Sequence, residues 1–125
     1  LKRALSAKAV LNISEASMFA KLVLIGLLQV TSYRSVPEQT DNSPMITSIG
    51  EHVHMGGIAV SQDLLKSGKL HYHDTVYVQG FGYYQVNDTM NVRIHDAVDI
   101  WVETKEEERL VGVQHHNVYL LRRPE

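Results

Sequence analysis

Three aspartates, Asp88, Asp96 and Asp99, fall within residues 86–102, Val-Asn-Asp-Thr-Met-Asn-Val-Arg-Ile-His-Asp-Ala-Val-Asp-Ile-Trp-Val. Asp99 has the unusual setting. Ala97, Val98, Ile100, Trp101 and Val102 around it form a short run of β-branched and aromatic residues, the composition of a buried strand. Desolvation in such a run raises a carboxyl pKa, so the acid keeps a proton near neutral pH and can deliver it to a substrate oxygen. The structural alternative places Asp99 near the strand's end, capping a loop or pairing with Arg93. Both readings stand on the residues alone.

Other side chains invite chemistry less strongly. The histidines His52 and His54, His71 and His73, and then His115 and His116 invite a metal; where they alternate on a strand, two point to one face and could supply two ligands, with Asp74 or Asp96 as a third. A metal site needs converging ligands, and this loose spacing suits solvated histidines better, so no metal or other cofactor is expected. Trp101 shares the face of Asp99 only on a regular strand, where it would stack on a sugar. Its plainer reading is a core aromatic. Gly80-Phe81-Gly82 reads as a turn, since no helix follows to offer its amide end to a phosphate.

The elements that must position these residues are short. The chain has 125 residues, enough for one domain with a core. A net charge of -2 with interspersed signs leaves no polyanion footprint and argues against nucleic acid as a partner. The absence of cysteine removes disulfide frameworks, zinc ribbons and thiol nucleophiles together. The start at Leu1 reads as a processed form or a fragment.

Leu5, Ala9, Ile13, Ala16 and Ala20 fall at helical spacing, predicting an N-terminal helix over residues 2–20. Residues 21–30 are the most apolar run, shorter than the roughly 20 residues a membrane helix needs. They read as a buried strand or packed helix leading into a strand over 29–34. The competing reading is the core of a secretory signal, although no small-residue cleavage site follows before Thr31.

Residues 35–44 have loop composition, with two prolines in a polar cluster. Beyond them the pattern predicts a short strand over 58–60 after a turn at Gly56-Gly57, then one helical turn ending at Lys66. A hairpin of 75–79 and 83–87 follows, then the strand of Asp99. A charged helix is expected over 103–110, with Lys105/Glu108 and Glu106/Arg109 as i, i+3 pairs, and a closing strand over 113–121. No internal repeat is evident. Many short strands and few helices favour a compact, mostly β barrel over a layered α/β fold.

Five stretches add a resemblance: Val30-Thr-Ser-Tyr-Arg-Ser-Val-Pro-Glu-Gln-Thr-Asp-Asn-Ser-Pro44, Ile46-Thr-Ser-Ile-Gly50, Gly57-Ile-Ala-Val60, Asn87-Asp-Thr-Met-Asn91 and Val98-Asp-Ile-Trp101, with Gly82 in the hairpin. In order and spacing they resemble the three-aspartate (3D) domain, a relative of the barrel domain of membrane-bound lytic transglycosylase A, from about Val30 to Leu121. The resemblance implies a small double-psi β-barrel over 30–125 with an N-terminal helical and apolar extension over 1–29. It further implies action on peptidoglycan glycan strands, in the cell envelope, outside the cell or on a virion.

Carried over by position, Asp99 resembles the catalytic acid, Asp88 its partner across the cleft, and Asp41 a polar residue of the loop after the first strand. Thr31, Tyr33, Gln85 and Thr89 are candidate sugar contacts, with ordinary strand polars as the alternative. Three positions depart from the family pattern. Ser61 stands where many members have aspartate, with Asp63 two positions on; Met90 and Asn91 replace glycines; and residues 64–74 are longer than their counterpart.

A lytic transglycosylase cleaves the MurNAc-GlcNAc β-1,4 link by protonating the leaving oxygen, while the sugar's own 6-hydroxyl attacks to leave a 1,6-anhydromuramic end. By the resemblance, one carboxyl then serves as acid and afterwards as base, with Asp88 raising its pKa through like charge. The competing expectation is a noncatalytic barrel that binds glycan or forms part of a larger cell-wall or virion assembly, associating through residues 1–29. A metal-binding module built on the histidines is the third.

Overall fold

The computed structural model describes residues 20–35 and 45–124. The helix expected over 2–20, except its last residue, and Asp41 with most of the expected loop lie outside them.

Six strands close into a barrel: β1 (Lys21–Tyr33), β2 (Gly57–Val60), β3 (Thr75–Val78), β4 (Gly82–Thr89), β5 (Ala97–Trp101) and β6 (Gln114–Arg122), in wall order β1-β5-β2-β4-β3-β6. Two short helices, α1 (Gln62–Lys66) and α2 (Lys105–Val111), follow β2 and β5. The fold is therefore mostly β, as the pattern predicts. Alternation fills the interior: Val30, Ile58, Val60, Val76, Val78, Tyr84, Val86, Val98, Ile100 and Val118 all lie in one buried cluster.

The first strand is longer than expected. It begins at Lys21, and Lys21 to Val30 pair antiparallel with β6, so residues 21–29 of the expected extension form part of the barrel wall. The apolar run is a strand because β6 offers a ladder along its whole length, information its composition does not contain.

The pairing repeats. Exchanging β1 with β4, β2 with β5 and β3 with β6 returns the same set of neighbours, with β1‖β5 and β2‖β4 both parallel. The register repeats as well. Gln29 faces Ala97 as Gln85 faces Gly57; Val30 faces Val98 as Val86 faces Ile58; Thr31 faces Asp99 as Asp88 faces Ala59. Two halves, each β-β-α-β, thus interlock about an approximate twofold, where the sequence alone shows no repeat. Unequal connections, residues 34–56 against 90–96, hide it.

Local chemistry fixes the helix ends. Thr104 Oγ1 accepts the Glu107 N–H at 3.1 Å while Glu107 Oε1 accepts the Thr104 N–H at 3.0 Å, a capping box that starts α2. Gly112 ends it with φ 57°. Glu108 does not pair with Lys105 as expected. Its carboxylate meets Arg34 at 3.2 Å and ties α2 to the end of β1.

Candidate active site on the barrel wall

Asp99 sits in mid-strand between Val98 and Ile100, both fully buried, so its own side chain points to the outer face. It does not end the strand, and Arg93 is not among the groups that act on its carboxyl, which are Thr31, Asp88 and Glu108. The structural alternative raised for Asp99 is thus corrected: its partner is Thr31 on β1, whose hydroxyl donates to Asp99 Oδ1 at 2.8 Å.

Register extends this contact into a row. Asp99 faces Thr31 on one side and Ala59 on the other, and Ala59 in turn faces Asp88. Thr31, Asp99, Ala59 and Asp88 therefore lie at one level across four adjacent strands. The two acids are two strand spacings apart, roughly 10 Å between Cα atoms. Only a methyl group stands between them, leaving a trough whose floor is Ala59.

Asp88 reaches this face through a defect in the ladder. Strict alternation from Tyr84 and Val86, both core residues, would turn Asp88 inward. The register shifts between Ile58 and Ala59, so that Asn87 is passed over and Asp88 pairs with Ala59. Asn87 is buried against Gly57, where a Cβ would lie 2.7 Å from Asn87 Nδ2. Glycine at 57 makes the bulge possible, and the bulge aims the acid.

Asp88 is held by three donors. Its Oδ1 accepts the N–H groups of Ser48 and Thr89 at 3.0 and 2.9 Å, and its Oδ2 accepts the Tyr33 hydroxyl at 3.0 Å. Tyr33 belongs to β1 and Asp88 to β4, with β5 and β2 between them, so the phenol must lie across the trough. Its cover explains why Ala59, whose flanking residues face the core, is itself only 3% exposed.

The electrostatics separate the groups. Burial pushes the Asp99 carboxyl up to about 6; the Thr31 hydrogen bond opposes this, while the charges of Asp88 and Glu108 add to it. Burial, the Asp88 charge and the hydrogen bond to Asp88 push the Tyr33 phenol far above its ordinary range, so it stays a donor. A carboxyl near 6 exchanges its proton around neutrality, as a general acid requires.

The remaining candidates divide. Thr31 and Tyr33 belong to the site. The Thr89 hydroxyl is committed to the Val60 carbonyl at 2.9 Å, a ladder-closing role. Gln85 is exposed on the outer face of β4, the outward position before Asp88. Asp96 lies outside the row, in a turn with φ 49°, where its N–H donates to Asp63. Ser61 is fully buried and its hydroxyl accepts the Ala97 N–H at 3.1 Å, tying the end of β2 to the start of β5.

Trp101 requires a correction. It is not in the core cluster but half-buried on the outer face, opposite Tyr33, with its indole N–H donating to Ser35 Oγ at 2.8 Å. Alternation from Asp99 forces that orientation. Among the described residues no three His, Asp or Glu side chains gather to hold a metal ion. His71 and His73 instead lie beside Asp74 and Glu51, at 3.7 and 3.6 Å.

The site falls where the two halves differ. The twofold that relates the registers carries Ala59 onto Asp99 and Thr31 onto Asp88. One half contributes both acids, the other a hydroxyl and the space beside it. No family model and no curated protein matches the chain.

Proposed function

We propose that this chain is a lytic transglycosylase-like barrel of the double-psi type that acts on the glycan strands of peptidoglycan. The observation that carries the reading is the row itself: Asp99, hydrogen-bonded to Thr31 and with its carboxyl pushed up to about 6 by burial, faces a second acid, Asp88, across Ala59. The exchange symmetry of the strand pairing and its two parallel contacts support the double-psi type. Asp99 donates its proton to the glycosidic oxygen, and the resulting carboxylate takes the proton of the attacking 6-hydroxyl. Asp88 lends negative charge to the developing oxocarbenium and keeps the Asp99 proton in place. Trp101, half-buried on the outer face opposite Tyr33, offers apolar surface to a sugar ring.

A second reading, a barrel that binds glycan without cleaving it, is favoured by one feature: Tyr33 spans the trough and is fastened to Asp88. Under either reading the site lies outside the cytoplasm, where this glycan is found. Digestion of purified peptidoglycan, scored by mass for 1,6-anhydromuropeptides, tests both. The enzyme reading expects such products from the native chain and none from Asp99→Asn. Products from both remove Asp99 from the mechanism, and retention on peptidoglycan without products selects the binding reading.

A further inference from the structure

The barrel wall formed by β6, β3 and β4 carries a second row. Tyr119 on β6 faces Tyr77 on β3, and Tyr77 faces Tyr83 on β4, so three tyrosines stand side by side on the outer face. Their ring centroids are 4.8 Å apart for Tyr77 and Tyr83 and 6.1 Å for Tyr77 and Tyr119. The polar outward neighbours on these strands are Thr75, Gln85 and Asn117, with Leu121 beyond Tyr119 on β6 and the exposed Leu24 of β1 paired with Tyr119, so the face carries no charge although 21% of the chain is charged. Among the described residues, none of the side chains of the three tyrosines, Thr75, Gln85 and Asn117 is spent on a hydrogen bond within the protein.

Half-exposed aromatic rings flanked by uncommitted amides and a hydroxyl have a specific chemical complement. A sugar ring offers C–H faces to the aromatics, and its hydroxyl and acetamido groups match amide donors and acceptors. Charged partners find nothing to pair with here. A purely apolar partner would leave the amides unsatisfied. The face is also continuous with the trough, because β4 carries Gln85 at its edge and Asp88 as the next outward position.

We propose that this tyrosine and amide face is a second carbohydrate-binding surface, taking an uncharged chain of acetamido sugars that continues along β4 toward the acids. The proposal rests on the glycan reading of the trough but not on turnover there.

The test uses the full chain carrying Asp99→Asn, so that nothing is cleaved. It is sedimented with purified peptidoglycan and titrated with a soluble oligomer of N-acetylglucosamine. Tyr77→Ala and Gln85→Ala are added separately, with circular dichroism to verify folding; Gln85 is exposed and its replacement leaves the core untouched. The expected result is binding roughly tenfold weaker for Tyr77→Ala and a smaller loss for Gln85→Ala.

Undiminished binding by both variants overturns the second surface and leaves the trough reading intact. Binding that falls with these variants while the native chain yields no anhydro products overturns cleavage and keeps the surface. A concentration-dependent dimer that Tyr77→Ala abolishes makes the face a contact between copies and overturns the proposal.

Discussion

The Tyr33 hydroxyl donates to Asp88 Oδ2 at 3.0 Å across two intervening strands, and this bond closes the trough over Asp99. Ala59, the residue on β2 between the two acids, has only a methyl group at that level. Any ligand that reaches Asp99 must move the phenol and break its bond to a carboxylate.

Tyr33→Phe tests that latch. A hydrogen bond to a charged group contributes about 1.5–3 kcal/mol, so urea denaturation should show a loss of that order while the ring still packs. Because ligand entry no longer requires breaking the bond, KM for glycan should fall with kcat little changed. A rise in KM instead identifies the hydroxyl as a sugar contact.

Asp99→Asn should raise stability at neutral pH. The folded carboxyl titrates at about 6 against an ordinary 3.8, so between these values the unfolded chain releases its proton first and the folded state binds more. Stability therefore falls as pH rises from about 4 to 6, by on the order of 2–3 kcal/mol in total. Asparagine has no proton to lose and can still accept from Thr31. Thermal denaturation at pH 4 and pH 7.5 should show the variant gaining on the native chain only at the higher pH. Equal gains at both would mean that Asp99 carries no buried charge.

Asp88→Asn separates charge from shape. Asp88 contributes to the raised pKa of Asp99 after burial, and asparagine keeps its Oδ1 as acceptor for the Ser48 and Thr89 N–H groups while its Nδ2 can donate to the Tyr33 hydroxyl oxygen. The alkaline limb of the kcat/KM profile, which reports protonated Asp99, should move to lower pH by up to about one unit. An unmoved limb assigns the raised pKa of Asp99 to burial and the Glu108 charge, without Asp88.

These residues show what a sequence can reveal and where it stops. The hairpin of β3 and β4, the strand at 58–60 and the burial around Asp99 follow from short-range alternation and turn residues, so they were legible. Asp88 enters as the partner of Asp99 only through the family resemblance, and the register places the two at one level. The path of Lys21 to Leu28 was not legible, because an apolar run acquires its conformation from its partner β6. Trp101 was misplaced because its type suggested the core, whereas parity with Asp99 sets its face. The duplication and the Asn87 bulge were hidden for one reason. Both are properties of register, which links residues distant in sequence.

Ala59→Leu should silence the site without unfolding the barrel. Ala59 lies on the outer face between the two acids, so the longer side chain occupies the trough and lifts Tyr33 away from Asp88 rather than overpacking the core. Glycan cleavage should be lost, with a stability change within the roughly 1–3 kcal/mol typical of overpacking. Ala59→Ser, which leaves the trough open, should retain turnover. Full activity in Ala59→Leu would show that substrate does not enter between Asp99 and Asp88.

Gly57→Ala reaches the acids from a distance. A Cβ at 57 would lie 2.7 Å from Asn87 Nδ2, 3.1 Å from its Oδ1 and 3.1 Å from the His54 carbonyl oxygen. The backbone oxygen cannot yield easily, so Asn87 must, and Asn87 is the residue whose bulge turns Asp88 outward. The variant should lose about 1–3 kcal/mol by chemical denaturation. The alkaline limb of its pH profile should also shift, because Asp88 no longer sits at its distance from Asp99. Adding Asn87→Ala removes the clashing amide and should recover part of the stability, giving a coupling energy between positions 57 and 87. Strictly additive effects would mean that Gly57 does not set the bulge, and the orientation of Asp88 would then have to come from the three donors on its carboxylate.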